Sequence, residues 1–309
     1  MDPSAINRLN YYNIIAMLLA SCLAIIIPFE LVALSYAILG PAHYLTEISW
    51  LKKRWFFTLK RYDFLPIAGV IVISLLLKIG NARLVYYTFG LSFILMITES
   101  SIKRLSAFVI LIGSAYFLLS NNMIVTVFGL YVPTLVHVYI FTGTFILSGA
   151  LKDRVASGYI AFIIFLLCPL ILMISFRSFH NMPSAWAIAS YSGFSRLNAI
   201  TLHKPFINVF TSQASVILTR FIAFAYTYHY INWFSKTRVI NWHRISVAGV
   251  IVIGLIWVAS VALYFYNYAT GFKWLFLLSL VHVILEFPLN QRSFIGIGKQ
   301  LRSRFVAAD

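Results

Sequence analysis

Apolar runs of membrane-spanning length recur along the whole 309-residue chain, with most of its charges gathered in the short segments between them. Hydropathy and punctuation predict helices near 11–27, 29–50, 64–79, 84–98, 105–120, 123–151, 158–177, 206–234, 246–268 and 272–290. Pro28 alone divides the first two, and several spans are shorter than the ~20 residues of a usual crossing, so the count runs from eight to ten. The expected fold is all-α: a polytopic transmembrane helical bundle of about ten helices, forming one integral-membrane domain over residues 1–309.

Composition agrees with this pattern. Hydrophobic residues make up 61% of the chain and charged residues 10%, whereas a soluble domain carries about a quarter charged residues. The net charge of +16 would suit a nucleic-acid partner in a soluble protein, but in a membrane chain its distribution matters more than its sum, and no nucleic acid is expected. With the N-terminus in the cytoplasm, the loops 51–63, 99–104, 152–157 and 235–245 and the C-terminal tail share that side and hold most of the 24 Lys and Arg. The positive-inside rule therefore places both termini in the cytoplasm. The polar start "MDPSAINRLN" precedes an apolar run without a small-residue cleavage pattern, so the first helix is expected to be retained. Cys22 and Cys168 lie inside apolar runs and read as small core residues rather than a disulfide or thiolate site. Residues 178–205 form the longest exterior segment and are expected to lie along the membrane interface between helices. The chain has no repeat of fixed period and no low-complexity tract.

Histidines change the picture. His43, His137, His229 and His282 all stand on helices that run from outside to inside, between the bilayer centre and the cytoplasmic surface, while His180, His203 and His243 fall in loops. Glu47, in "HYLTE", and Glu286, in "HVILE", each follow one of these histidines by one helical turn. Ionisable groups inside a membrane face a protein interior and mark functional sites. Neutral imidazole binds Fe, Zn, Cu or Ni, and a carboxylate either binds directly or accepts the second ring N–H. The four histidines are thus the expected metal ligands, with Glu47 and Glu286 as the candidate catalytic carboxylates. Pro41, Pro133 and Pro288 lie close by, where kinks would widen the bundle. Arg220 is expected to snorkel or pair internally. The aromatics around His229, in "AYTYHYINWF", fit an interfacial belt or the lining of a hydrophobic tunnel.

"GPAHY" near the start, histidines on later helices and the tyrosine-rich "TYHYINWF" resemble the Brp/Blh-like membrane proteins, bacterial and archaeal β-carotene-cleaving dioxygenases. The resemblance implies a helical bundle holding non-haem Fe(II) through histidines and cleaving a carotenoid with O₂ to give retinal. His43 matches the family's first histidine, His137 its second, and His229 that of the tyrosine-rich late helix. Trp233 stands where the family has a further histidine, and His282 is the candidate to replace it. Tyr44, Tyr226, Tyr228 and Trp233 are then the expected substrate-lining side chains, the substrate is a carotenoid or similar long apolar lipid, and the location is a bacterial inner (plasma) membrane.

Two other classes use the same histidine layer. A transporter would need polar residues continuing to both faces, yet the outer halves of these helices, for example "FGLYVPT" and "KWLFLLSL", offer few. A b-type haem protein would use two histidines as axial ligands. Membrane desaturases are disfavoured because their H-x-x-H-H boxes are absent.

Overall fold

A computed structural model describes residues 2–174, 182–204, 208–236 and 246–306. Among these every regular element is a helix. His180 and His243, with residues 178–181, 237–245 and 307–309, lie outside the described residues. Six helices or continuous helical stretches are long and apolar enough to cross a membrane: Pro3–Ile26, Ser101–Leu118, Asn122–Asp153, Ala156–Ile174, Val247–Tyr266 and Tyr268–Ser303. Phe64–Leu76 and Asn81–Ile97 are apolar but shorter. Two further expected spans are also helical, but proline, histidine, glutamate and an arginine dilute their hydropathy: residues 28–52, and Gln213–Ser235.

Burial differs from that of a water-soluble protein: large apolar side chains also cover the outside, and ionisable ones lie within. Val250, Ile251, Leu255, Leu166, Leu167, Leu170, Val109 and Ile110 face outward, whereas His43, Glu47, His137, Arg220, His229, His282, Glu286 and Asn290 are buried. Lipid-exposed helices need apolar outer faces, and polar side chains must then find partners inside. Arg220 is 1% exposed and so does not snorkel. Cys168 is buried as expected, but Cys22 is exposed: α1, Pro3–Ile26, turns it to its outer face.

The chain divides into two compact units, residues 1–43 with 142–276, and residues 44–141 with 277–309. In the first, α1 ends at Ile27, where non-helical dihedrals and Pro28 start α2, Pro28–Leu34. Residues Ser35–Leu39 wind as a π-helix ahead of Pro41, which has no N–H to continue the α-ladder. The Ile38 carbonyl in this wider turn accepts a 2.8 Å hydrogen bond from the Trp257 indole. α3, Gly40–Lys52, follows and carries His43. The rest of this unit contains α8, Thr142–Asp153; α9, Ala156–Ile174; α10, Ala185–Ser190; α11, Ser192–Thr201; α12, Gln213–Ser235; and α13, Val247–Tyr266. Asn7 and Asn10 of α1 meet Ser157 of α9, and Ser35 meets Thr227 of α12 at 2.7 Å. Within the expected interfacial segment, α10 and α11 bury Tyr191, Phe194, Leu197 and Asn198. Tyr191 and Asn198 share a buried network with Thr219 of α12, and burial raises the Tyr191 phenol above its ordinary range.

The second unit contains most of α3, then α4, Phe64–Leu76; α5, Asn81–Ile97; α6, Ser101–Leu118; α7, Asn122–Thr126; and a fifteen-residue π-helix, Val127–Phe141, around Pro133 and His137. Arg104 closes its base with a forked ion pair to Asp63, at 2.7 and 3.0 Å. The final helix, α14, runs from Tyr268 to Val306, well past the expected end at 290, so part of the expected tail is helical. Its start needs Gly271, because a Cβ there would collide with the Tyr264 backbone.

Candidate metal centre

In the first unit, α3 and α12 bring two imidazoles together. His43 and His229 are 1% and 6% exposed, and their Nε2 atoms are 3.0 Å apart. Metal–imidazole bonds of about 2.0–2.1 Å place two neighbouring ligand nitrogens roughly 3.0–3.4 Å apart, so this spacing suits two ligands of one ion. Axial haem ligands would stand about 4 Å apart across the macrocycle, which the pair does not match. The opposite nitrogen of His229, Nδ1, lies 2.8 Å from Thr142 Oγ1 on α8, a contact of the kind that fixes ring orientation and tautomer. Tyr230 and Trp233 rings flank His43 at centroid distances of 5.2 and 5.5 Å.

In the second unit, α3 and α14 supply the acidic part. His282 Nδ1 lies 2.9 Å from the Ser279 carbonyl, which can only accept, so Nδ1 carries the hydrogen. In the neutral ring Nε2 is then a lone pair, and it faces Glu47 Oε2 at 3.5 Å. Two acceptors point at each other, an arrangement that calls for a cation or a proton between them. Glu286 raises the demand: Glu47, His282 and Glu286 each offer a ligand atom, all within 4.8 Å of one another and all buried. Two buried carboxylates this close cannot both stay ionised at low cost; a cation between them or a proton shared by the pair relieves the repulsion. His137 adds Nδ1 at 3.3 Å from Glu286 Oε2. The mixed imidazole and carboxylate set suits a divalent transition ion, and its donor chemistry fits Fe(II) as well as Zn.

The expected aromatic residues have different positions. Tyr44 is 1% exposed and stacks on His282 at 4.6 Å, where it supports the ring. Tyr226 is buried with Tyr36, Phe194 and Tyr230. Tyr228 turns to another face of α12, donates to Asn13 Oδ1 at 3.2 Å and stacks on Phe224. Trp233 lies beside His43. Sequence reasoning did not single out Thr142 or the Ser279 carbonyl; a threonine five residues after His137 and a backbone acceptor carry no signal of their own. Nor did it select Tyr230 from its aromatic neighbours.

No family model, curated protein or solved structure matches the chain.

Proposed function

We propose that this is an integral-membrane metalloprotein in which His43, His137, His229 and His282 bind transition metal, with Glu47 and Glu286 as additional ligands or hydrogen-bonding partners. The observation that carries the reading is the opposition of His282 Nε2 to Glu47 Oε2 in a fully buried setting, beside a second carboxylate. The ten-crossing topology with both termini in the cytoplasm belongs to this proposal. A reporter fused after Asp309 should be active inside the cell, and an exterior reading would overturn that orientation.

The finer proposal is a non-haem iron oxygenase acting on a carotenoid or similar long apolar lipid. Its support is the resemblance of the GPAHY and TYHYINWF segments, together with the aromatic surroundings of the first histidine pair. Fe(II), when bound, would supply the chemistry of O₂. Within this proposal the protein holds the imidazoles in their ligating tautomers through Thr142 and Ser279, and keeps bulk water from the site by burying every ligand. The aromatic side chains of Tyr226, Tyr230 and Trp233 present apolar faces suited to a polyene rather than a polar substrate. Metal analysis of purified protein, coupled to a lipid extract of what co-purifies, tests both levels. Iron with a carotenoid or polyene is the expected result; protein purified from metal-replete cells without any transition metal would overturn the metal reading.

A further inference from the structure

Beyond the candidate ligands, α14 continues the same face by one more turn to Asn290, which is wholly buried. Its amide approaches Glu286 but completes no hydrogen bond of normal geometry, and neither Oδ1 nor Nδ2 has another partner. The next residue, Gln291, donates through Nε2 to the Phe89 carbonyl of α5 at 2.9 Å, leaving Oε1 buried and unpartnered. Ser92 lies three residues past Phe89 on α5 and is also wholly buried. Thr88, one turn earlier, bonds back to the Leu84 carbonyl, but Ser92 Oγ has no partner. Pro288 adds another acceptor, because it has no N–H for the Ile284 carbonyl.

So many unmet donors and acceptors in one region of a single unit are expensive in a dry interior, where each loses its hydration without a replacement. The backbone acceptor that a proline frees inside a membrane helix is satisfied again by neighbouring groups or by ordered water. The groups also have a direction. From Arg292 onward most of α14 is exposed and basic, with Arg292, Lys299 and Arg302 on its surface.

We propose that Asn290, Gln291, Ser92 and the Ile284 carbonyl line a file of bound water molecules running from Glu286 toward the basic end of α14. The file gives water and its protons access to the carboxylate. It requires no metal, and its test stands apart from that of the proposed chemistry.

Hydroxyl-radical footprinting of the full chain in lipid nanodiscs, read by mass spectrometry, reports water inside a membrane protein. Phe287, 0% exposed and in ring contact with Phe89, is the internal reporter, and Tyr62, 62% exposed, is the external control. The expected result is labelling of Phe287 in the wild-type protein, retained in Asn290→Ser and lost in Asn290→Leu combined with Ser92→Ala, with Tyr62 labelled equally in all three. An unlabelled Phe287 in wild-type protein overturns the file without recourse to any variant. So does labelling that persists in the apolar double variant, or a rise in its melting temperature, because filling a dry site of orphaned polar groups stabilises.

Discussion

His282 Nε2 stands 3.5 Å from Glu47 Oε2, while its other ring nitrogen lies 2.9 Å from the Ser279 carbonyl. The carbonyl fixes the tautomer, so the facing atoms are both acceptors unless a cation or proton joins them. Glu47→Gln tests which it is. A carboxamide supplies its own N–H to the imidazole and satisfies it without metal. The variant should fold normally and bind metal about 10–100-fold more weakly if Glu47 acts as a supporting partner, and more weakly still if it is a ligand. Metal affinity measured against a competing chelator decides; unchanged affinity would remove Glu47 from the centre.

The pair in the first unit has its own support. Thr142 Oγ1 contacts His229 Nδ1, so Thr142→Val should leave the ring in place but loosen its orientation, lowering metal affinity by about 10–100-fold. His229→Ala should cost more. The ratio of bound metal to protein in His229→Ala and His282→Ala distinguishes one ion shared by both histidine groups from an ion in each: loss of all metal in both variants indicates the former, loss of half in each the latter.

Depth and spacing along the chain identified His43, His137, His229, His282, Glu47 and Glu286, and all six are buried. They were legible because a bilayer penalises an ionisable group strongly enough that its mere presence is informative. Tyr44 was legible as a neighbour of the site but not as a ring stacked on His282, since that depends on how α3 meets α14. The direction of Tyr228 was beyond the sequence for the same reason: one position from His229 on a helix is about 100° around it, and the tyrosine hydroxyl meets Asn13. The fifteen-residue π-helix around His137 was beyond periodicity, because Pro133 predicts a disturbed ladder but not how the chain rewinds it. Residues 268–306 extended past the expected span because hydropathy marks where the apolar run ends, whereas helical winding continues through the mixed sequence that follows.

If the proposed centre holds an ion, its removal should destabilise the fold, since the ion would compensate the charge of Glu47 and Glu286 and contribute its binding free energy to the native state. With free metal at about a hundred times its Kd the contribution is roughly 2.7 kcal/mol. Chelation should therefore lower the melting temperature of the wild-type protein and restoration of metal should recover it. The Glu47→Gln, Glu286→Gln double variant, whose buried amides carry no charge, should respond much less to either treatment. A wild-type melting temperature indifferent to chelator, in protein shown to have lost its metal, would argue against a structural coupling of the ion.

The final expectation concerns substrate, and it separates walls from ligands. Tyr230 and Trp233 pack against His43, so each either supports that imidazole or presents its outer face to a bound polyene. Cells that accumulate β-carotene should lose colour and form retinal when they express the wild-type protein, if the activity implied by the resemblance is present, and His229→Ala cells should keep their colour. In purified protein, Tyr230→Leu and Trp233→Leu should retain iron and raise KM by a few-fold if they touch substrate, since one aromatic contact is worth about 0.5–1.5 kcal/mol beyond its buried area. If instead these variants lose iron with activity, their role is to hold His43. Protein that carries iron yet leaves β-carotene unchanged keeps the metal centre and directs the search to other long apolar lipids, whereas protein that oxidises no membrane lipid under O₂ loses the oxygenase reading altogether.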